Sequence, residues 1–157
     1  MNPYASFING EPVGIIRATA ARLDNAVKTH DKATLNRSPA PGKWSVREIL
    51  CHLADTEVVF AFRLRQALAE DHHVIQPFDQ DKWAKMYKGV PANLALETFS
   101  AMRKWNLRLI KASLPAAANR KMTHPERGTM TFKTIVETMA GHDLNHLGQL
   151  RKLAGKG

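Results

Sequence analysis

Apolar residues recur along this chain at helical intervals, in four long blocks separated by proline-marked connectors. Ile16, Ala20, Leu23 and Val27 share one face of a helix predicted from near Pro12 to Lys28. Asn36 to Gly42, with Pro39 and Pro41, reads as a rigid connector. The second block has the clearest start. Ser45 can cap the first turn, Glu48 completes a capping box, and Trp44 and Ile49 stand in the positions of a hydrophobic staple. That helix runs to about Ala69 through Leu50, Leu53, Val59, Phe60 and Leu64. A long loop from Glu70 to Pro91 follows, with room for one short helical turn. The third helix fits Asn93 to Leu114 on the spacing of Leu94, Phe99, Met102, Leu107 and Ile110, and Pro115 is its expected end. Met122 to Met130 alternates around Pro125-Glu126-Arg127-Gly128 and predicts a small extended hairpin. Thr131 then caps a fourth helix reaching about Leu153, with Arg151 and Lys152 set against the negative end of its dipole. Four long helices in 157 residues predict an all-α four-helix bundle, a single domain over residues 1–157.

The core-facing stripes hold unexpected residues. On the fourth helix the stripe reads Ile135, Met139, His142, His146, Leu150 and Leu153, so two histidines take positions that should be apolar. They are one turn apart on one face, the spacing that lets two imidazoles share a metal. On the second helix Ile49, His52, Thr56, Val59 and Arg63 form a similar stripe, which turns His52 inward as well. Three neutral imidazoles and a water would make the open site that catalytic zinc uses, and nickel, iron or manganese accept imidazole too. The alternative is that each interior histidine bonds a backbone carbonyl. His30, His72, His73 and His124 fall in loops or at ends and are expected at the surface. Cys51 points about 100° away from His52 and reads as a small buried residue.

Supporting roles are open at this level. Gln149, one turn beyond His146, could bond a ligand or orient water, or be a polar contact at a helix end. Arg63 could hold a substrate carboxylate, although a surface salt bridge is its plainer reading. Asp55 and Asp143 stand near the histidines as possible imidazole acceptors or as ordinary exposed acids. Asp79 and Asp81, in the long loop, could close over a pocket, while Trp44 is accounted for by its staple.

Charge changes the picture only slightly. Lys plus Arg number 23 against 14 Asp plus Glu, a net charge of +9. The basic residues are scattered, with no run of five and no interleaved aromatics, so a solvated basic surface is expected and nucleic acid is not. No apolar run approaches the roughly 20 residues of a membrane span. Met1-Asn2-Pro3-Tyr4 lacks the layout of a secretory signal, and a lone cysteine suits a reducing cytoplasm.

Lys43-Trp44-Ser45-Val46-Arg47-Glu48-Ile49-Leu50-Cys51-His52-Leu53-Ala54-Asp55 resembles the W-S-x-x-E-x-x-x-H-x-x-D stretch of the DinB-like superfamily. Gly141-His142-Asp143-Leu144-Asn145-His146-Leu147-Gly148-Gln149-Leu150 is similar to its H-D-x-x-H-x-x-Q ending. The likeness spans nearly everything from Pro39 to Leu153, including Pro77 to Asp81, Met102-Arg103 and His124 to Gly128. It implies an up-down-down-up bundle with one divalent metal, zinc or nickel before iron or manganese, on His52, His142 and His146. Characterised relatives include transferases that use bacillithiol or mycothiol and an isomerase of maleylpyruvate; many others are named only provisionally as metal-dependent hydrolases. The expectation is therefore a cytoplasmic metal-dependent enzyme, a thiol-dependent transferase or a hydrolase, acting on a small electrophilic substrate. A low-molecular-weight thiol is a candidate cofactor, and a homodimer fits the way relatives pair. The contrary expectation is a basic binding or stress-response protein whose metal is structural or absent.

Overall fold

The computed structural model describes residues 1–154. Four long helices, α1 (Pro12–Lys28), α3 (Val46–Ala69), α5 (Ala92–Ala117) and α6 (Phe132–Ala154), form the bundle. Two short helices, α2 (Lys32–Asn36) and α4 (Gln80–Ala84), lie in connections, and strands β1 (Lys121–His124) and β2 (Gly128–Thr131) precede α6. Short 3-10 turns at Ala5–Phe7 and Lys85–Tyr87 complete the elements.

The local signals act where the sequence places them. Glu48 N donates to Ser45 Oγ while Ser45 N donates to Glu48 Oε2, closing the capping box of α3. Thr134 N donates to Thr131 Oγ1 at the start of α6. Pro115 does not end α5, which continues to Ala117. A proline so close to a helix end removes one hydrogen bond, from the carbonyl of exposed Lys111, and little helix remains beyond it to be displaced. Asp31 caps α2, a helix that the sequence pattern missed, by accepting from Thr34 N.

Two apolar clusters fix the direction of each helix. One joins Ile16 of α1, Phe60 and Leu64 of α3, Ile110 and Ala117 of α5, and Phe132 to Ala140 of α6. The other joins Leu23 of α1, Ile49 to Ala54 of α3, Ala95 to Phe99 of α5, and Leu147 and Leu150 of α6. Each cluster thus collects the starts of α1 and α6 with the ends of α3 and α5, or the reverse. That is the up-down-down-up order. The parallel pair α3 and α5 requires a long crossover, and residues 70–91 supply it.

The crossover is pinned at both ends. Ile75 N donates to Thr123 O at 2.8 Å and Thr123 N to His73 O at 2.9 Å, so the loop runs beside β1. Farther along, Tyr87 is buried and donates its hydroxyl to Asp55 Oδ2 at 2.9 Å. The hairpin pairs Met122 with Met130 and His124 with Gly128, and the two methionines are buried under the bundle end. Among the described residues, no helix is long and apolar enough to cross a membrane.

Candidate metal centre

Between the two apolar clusters the core is polar. On each long helix the inward residues of this middle stretch are Thr19, then His52 and Glu57, then Arg103 and Asn106, then His142, Asp143 and His146, all of them buried. The polar belt has two halves.

In one half, Arg103 is 3% exposed and forms ion pairs with Glu57 and Asp143. Its Nη2 donates to Glu57 Oε1 at 2.6 Å and to Asp143 Oδ1 at 2.9 Å, and Nη1 donates to Asp143 Oδ2 and to Ile16 O. Thr19 Oγ1 donates to Asp143 Oδ2 at 2.7 Å, and Asn106 Nδ2 to Glu57 Oε2 at 3.0 Å. Burial raises the Glu57 pKa while Arg103 pulls it back, so the carboxylate depends on that one cation. The network ties all four long helices together. It also reassigns two residues: Arg103 leaves the basic surface expected for it, and Asp143 is buried and, among the described residues, bonds no imidazole. The buried face of α5 is Ala95, Leu96, Phe99, Arg103, Asn106, Ile110 and Ala117, while Leu94 is exposed.

In the other half three imidazoles meet. His52 Nε2 lies 3.0 Å from His142 Nε2, and His146 Nε2 lies 3.1 Å from the same atom. The three rings are 2%, 5% and 5% exposed. A single ring proton on His142 can serve one of these contacts well, whereas a cation among the three nitrogens serves all of them. Ligand atoms at about 2.0–2.1 Å from a tetrahedral zinc would stand about 3.3–3.4 Å apart, close to the spacing found here. The donor set therefore fits a divalent metal with an open position.

Burial and mutual proximity hold the rings neutral. Burial, then His146, pushes the His52 pKa down to about 3, and burial with the neighbouring histidines and Arg103 holds His142 well below the ordinary value. Burial lowers His146 too, opposed by Gln149 and Asp143. Neutral imidazole is the ligand form, so protons offer little competition for the nitrogens at pH 7.

Packing and one hydrogen bond orient the rings. His146 Nδ1 and Gln149 Oε1 are 3.0 Å apart, although Gln149 is otherwise exposed. Trp44 lies 4.7 Å from His52 and stacks at 6.4 Å on His146, so its ring covers the site rather than serving only as a staple. Tyr4 meets His142 edge-on at 5.2 Å and Phe60 does so at 6.1 Å. The N-terminal segment reaches this position because Gly141 has no side chain: a Cβ there would stand 2.5 Å from Tyr4 O.

The remaining candidates fall elsewhere. Asp55 accepts from Tyr87 and bonds no imidazole. Asp79 is exposed and caps α4 by accepting from Asp81 N and Lys82 N, and exposed Asp81 lines the groove beside Trp44. Cys51 is buried, and burial raises its thiol pKa, which keeps it protonated and apart from the cluster. Arg63 is 8% exposed and forms no salt bridge among the described residues; it lines a cavity of about 270 Å³ whose wall includes His52 and His142. His124 is buried at the end of β1, its Nδ1 accepting from Glu126 N, and His73 is half-buried against Glu70, so neither is the surface residue expected. Sequence reasoning missed Glu57, Asn106 and Arg127, the last of which shares the Arg63 cavity. The Phe99-Arg103-Asn106-Ile110 stripe was the available signal for α5.

Comparison with known proteins agrees with this geometry. The sequence profile of the DinB superfamily matches residues 15–150. An Oceanobacillus iheyensis protein with the provisional name metal-dependent hydrolase is 30% identical over 132 residues, covering 83% of this chain and 77% of its own. A Bacillus mycoides protein of the same provisional name is 25% identical over 132 residues, covering 83% and 76%. The solved structure of YfiT from Bacillus subtilis, described as a probable metal-dependent hydrolase with an unusual four-helix bundle topology, superposes with a TM-score of 0.85 at 21% identity. The match covers 92% of this chain and 85% of YfiT, and establishes the shared fold.

Proposed function

This chain belongs to the DinB superfamily, and on that footing we propose that it is a metal-dependent enzyme in which His52, His142 and His146 hold one divalent cation. The observation that carries the reading is the convergence of three buried, neutral Nε2 atoms on one point. Zinc and nickel suit the all-imidazole set, and iron or manganese would also be accepted. Its substrate is a small electrophilic molecule, attacked by water in a hydrolase or by an external low-molecular-weight thiol in a transferase. The provisional names of the relatives support the hydrolase. The thiol-dependent transferases among characterised members of the superfamily support the other, and in that case the thiol comes from outside because Cys51 is buried and protonated.

When bound, such a cation lowers the pKa of water towards neutrality or holds a thiol as thiolate. The chain's own residues do the rest. The three imidazoles present lone pairs without a prior proton loss, Gln149 fixes the His146 ring, and Trp44, Tyr4 and Phe60 exclude bulk water. The cavity of about 270 Å³ borders His52 and His142 and would admit the substrate beside them.

Metal content measured by inductively coupled plasma mass spectrometry on tag-free protein, with His146→Ala beside it, tests the reading. About one equivalent in the wild type and a loss of at least tenfold in the variant are expected, since removing a ligand from an open three-nitrogen site leaves two. If neither protein takes up metal after reloading with each candidate ion, the enzyme reading falls.

A further inference from the structure

Among the described residues, the cavity beside the imidazoles is lined by two guanidiniums and by no carboxylate. Arg63 reaches it from α3, and Arg127 from the turn of the hairpin. The Arg63 guanidinium lies over the Phe78 ring at 5.9 Å, and the cavity it lines extends to His52 on the same helix. Val59, Phe60 and Phe78 supply apolar wall between the charges and the imidazoles.

Arg63 is unusually placed for a cation. It is 8% exposed, its Nε is buried without a partner, and its one hydrogen bond, Nη2 to Gln76 O, is 3.3 Å long. Among the described residues neither Arg63 nor Arg127 forms an ion pair, whereas the other buried guanidinium, Arg103, has two carboxylates. Burial together with the charge of Arg127 lowers the Arg63 pKa to about 10. The hydroxyls of Thr56 and Thr138, which also line the cavity, donate to carbonyls of their own helices. The guanidiniums are thus the charged donors facing this space, and a bound anion would relieve the desolvation of Arg63 and its repulsion by exposed Arg127.

We propose that the cavity between the hairpin and α3 is an oxyanion subsite, in which Arg63 and Arg127 hold the carboxylate or phosphate of a small substrate while its reactive end lies against His52 and His142. This deepens the metal-dependent reading and rests on it for the reaction, though not for binding. A cavity of about 270 Å³ lies at the small end of ligand pockets, about 300–1,000 Å³, which suits a small substrate. The neutral wall residues accommodate a short carbon chain between its two ends.

The test is isothermal titration of full-length protein with butyrate, inorganic phosphate and the uncharged isostere butyramide, with metal content measured on every sample. Arg127→Gln is the main variant, because Arg127 is exposed and its loss leaves the core intact; Arg63→Gln and His146→Ala accompany it. At least a tenfold loss of butyrate or phosphate affinity in Arg127→Gln, with metal content unchanged, is expected. Tighter butyrate marks a carboxylate substrate and tighter phosphate a phosphate ester. Persistence of that arginine-dependent binding in His146→Ala supports the subsite even if metal is absent throughout, an outcome that would remove the metal reading alone. The subsite is overturned if Arg127→Gln binds both anions as the wild type does, or if butyramide binds as tightly as butyrate. It is also overturned if His146→Ala abolishes anion binding that both arginine variants retain, since the anion would then sit on the metal.

Discussion

Arg103 carries its charge into a core from which water is excluded, and its partners Glu57 and Asp143 come from two other helices. Each of the three is at most 3% exposed, so none can exchange its partner for water. Replacing Arg103 with methionine keeps much of the volume but strands two carboxylates. The expected cost is about 3–5 kcal/mol, the range for breaking a buried pair from one side, read as a lower urea midpoint with an unchanged slope. A loss under about 1 kcal/mol would mean that the carboxylates neutralise without harm. This residue also marks the limit of what the chain discloses. His52, His142 and His146 stand out because a histidine in an apolar stripe breaks a pattern that helical geometry fixes locally. Arg103 and Asn106 interrupt a stripe in the same way, yet a charged residue is exposed by default, and its partners lie 46 and 40 positions away. Arg63 and Arg127 are still less legible, since the hairpin must fold against α3 before the two share a cavity.

At the scale of the elements, α6 supplies two of the three imidazoles and the surface on which the N-terminal segment rests. Gly141, the residue before His142 in α6, permits that contact, with Tyr4 O and Tyr4 Cβ 2.5 and 2.6 Å from where a Cβ would stand. The nearer neighbour is backbone and cannot swing aside as a flexible side-chain end would. Gly141→Ala should therefore lift the segment, remove the Tyr4 ring from His142 and cost about 1–3 kcal/mol, as overpacking does. Limited proteolysis should show earlier cleavage ahead of Pro12 in the variant, along with a lower melting temperature. An equally protected segment with unchanged melting would show that helix and segment separate at no cost. The Asp31 cap opens a helix of five residues, too short to show a periodic stripe, but the capped starts of the long helices were readable because a cap is a local event. The Ser45 and Thr131 starts illustrate this, whereas the end of α5 at Ala117 does not, because Pro115 limits only the turn before it. The 70–91 crossover was readable as a loop but not as a structured strap, since the bonds of Ile75 to Thr123 and of Tyr87 to Asp55 join segments far apart in sequence.

For the whole molecule, the polar belt makes folding and proton binding parts of one equilibrium. His52 is held near pKa 3 in the folded bundle against an ordinary value of 6.5, and His142 and His146 are shifted in the same direction, in each case chiefly by burial. The unfolded chain therefore takes up protons below about pH 6.5 that the folded chain refuses. Folded stability is complete above that value and is lost as pH falls toward about 3, with a limiting slope of about 1.4 kcal/mol per pH unit for each proton withheld. A divalent cation on the imidazoles adds to this, because it binds the neutral rings of the folded state alone. At a free metal concentration 1,000 times its dissociation constant the gain is about 4 kcal/mol, or about 10 °C in melting temperature for a domain of this size. Melting followed by circular dichroism at pH 7, 6 and 5, with metal and after chelation, checks both effects. The metal-loaded protein should melt about 10 °C higher at pH 7, the gap should narrow as the pH falls, and the stripped protein should itself weaken from pH 7 to pH 5. Equal melting with and without metal at pH 7 would show that the cation leaves the fold untouched. A flat profile for the stripped protein would show that the imidazoles accept protons inside the bundle, and the packing of Trp44, Tyr4 and Phe60 around them would then be too loose to exclude water.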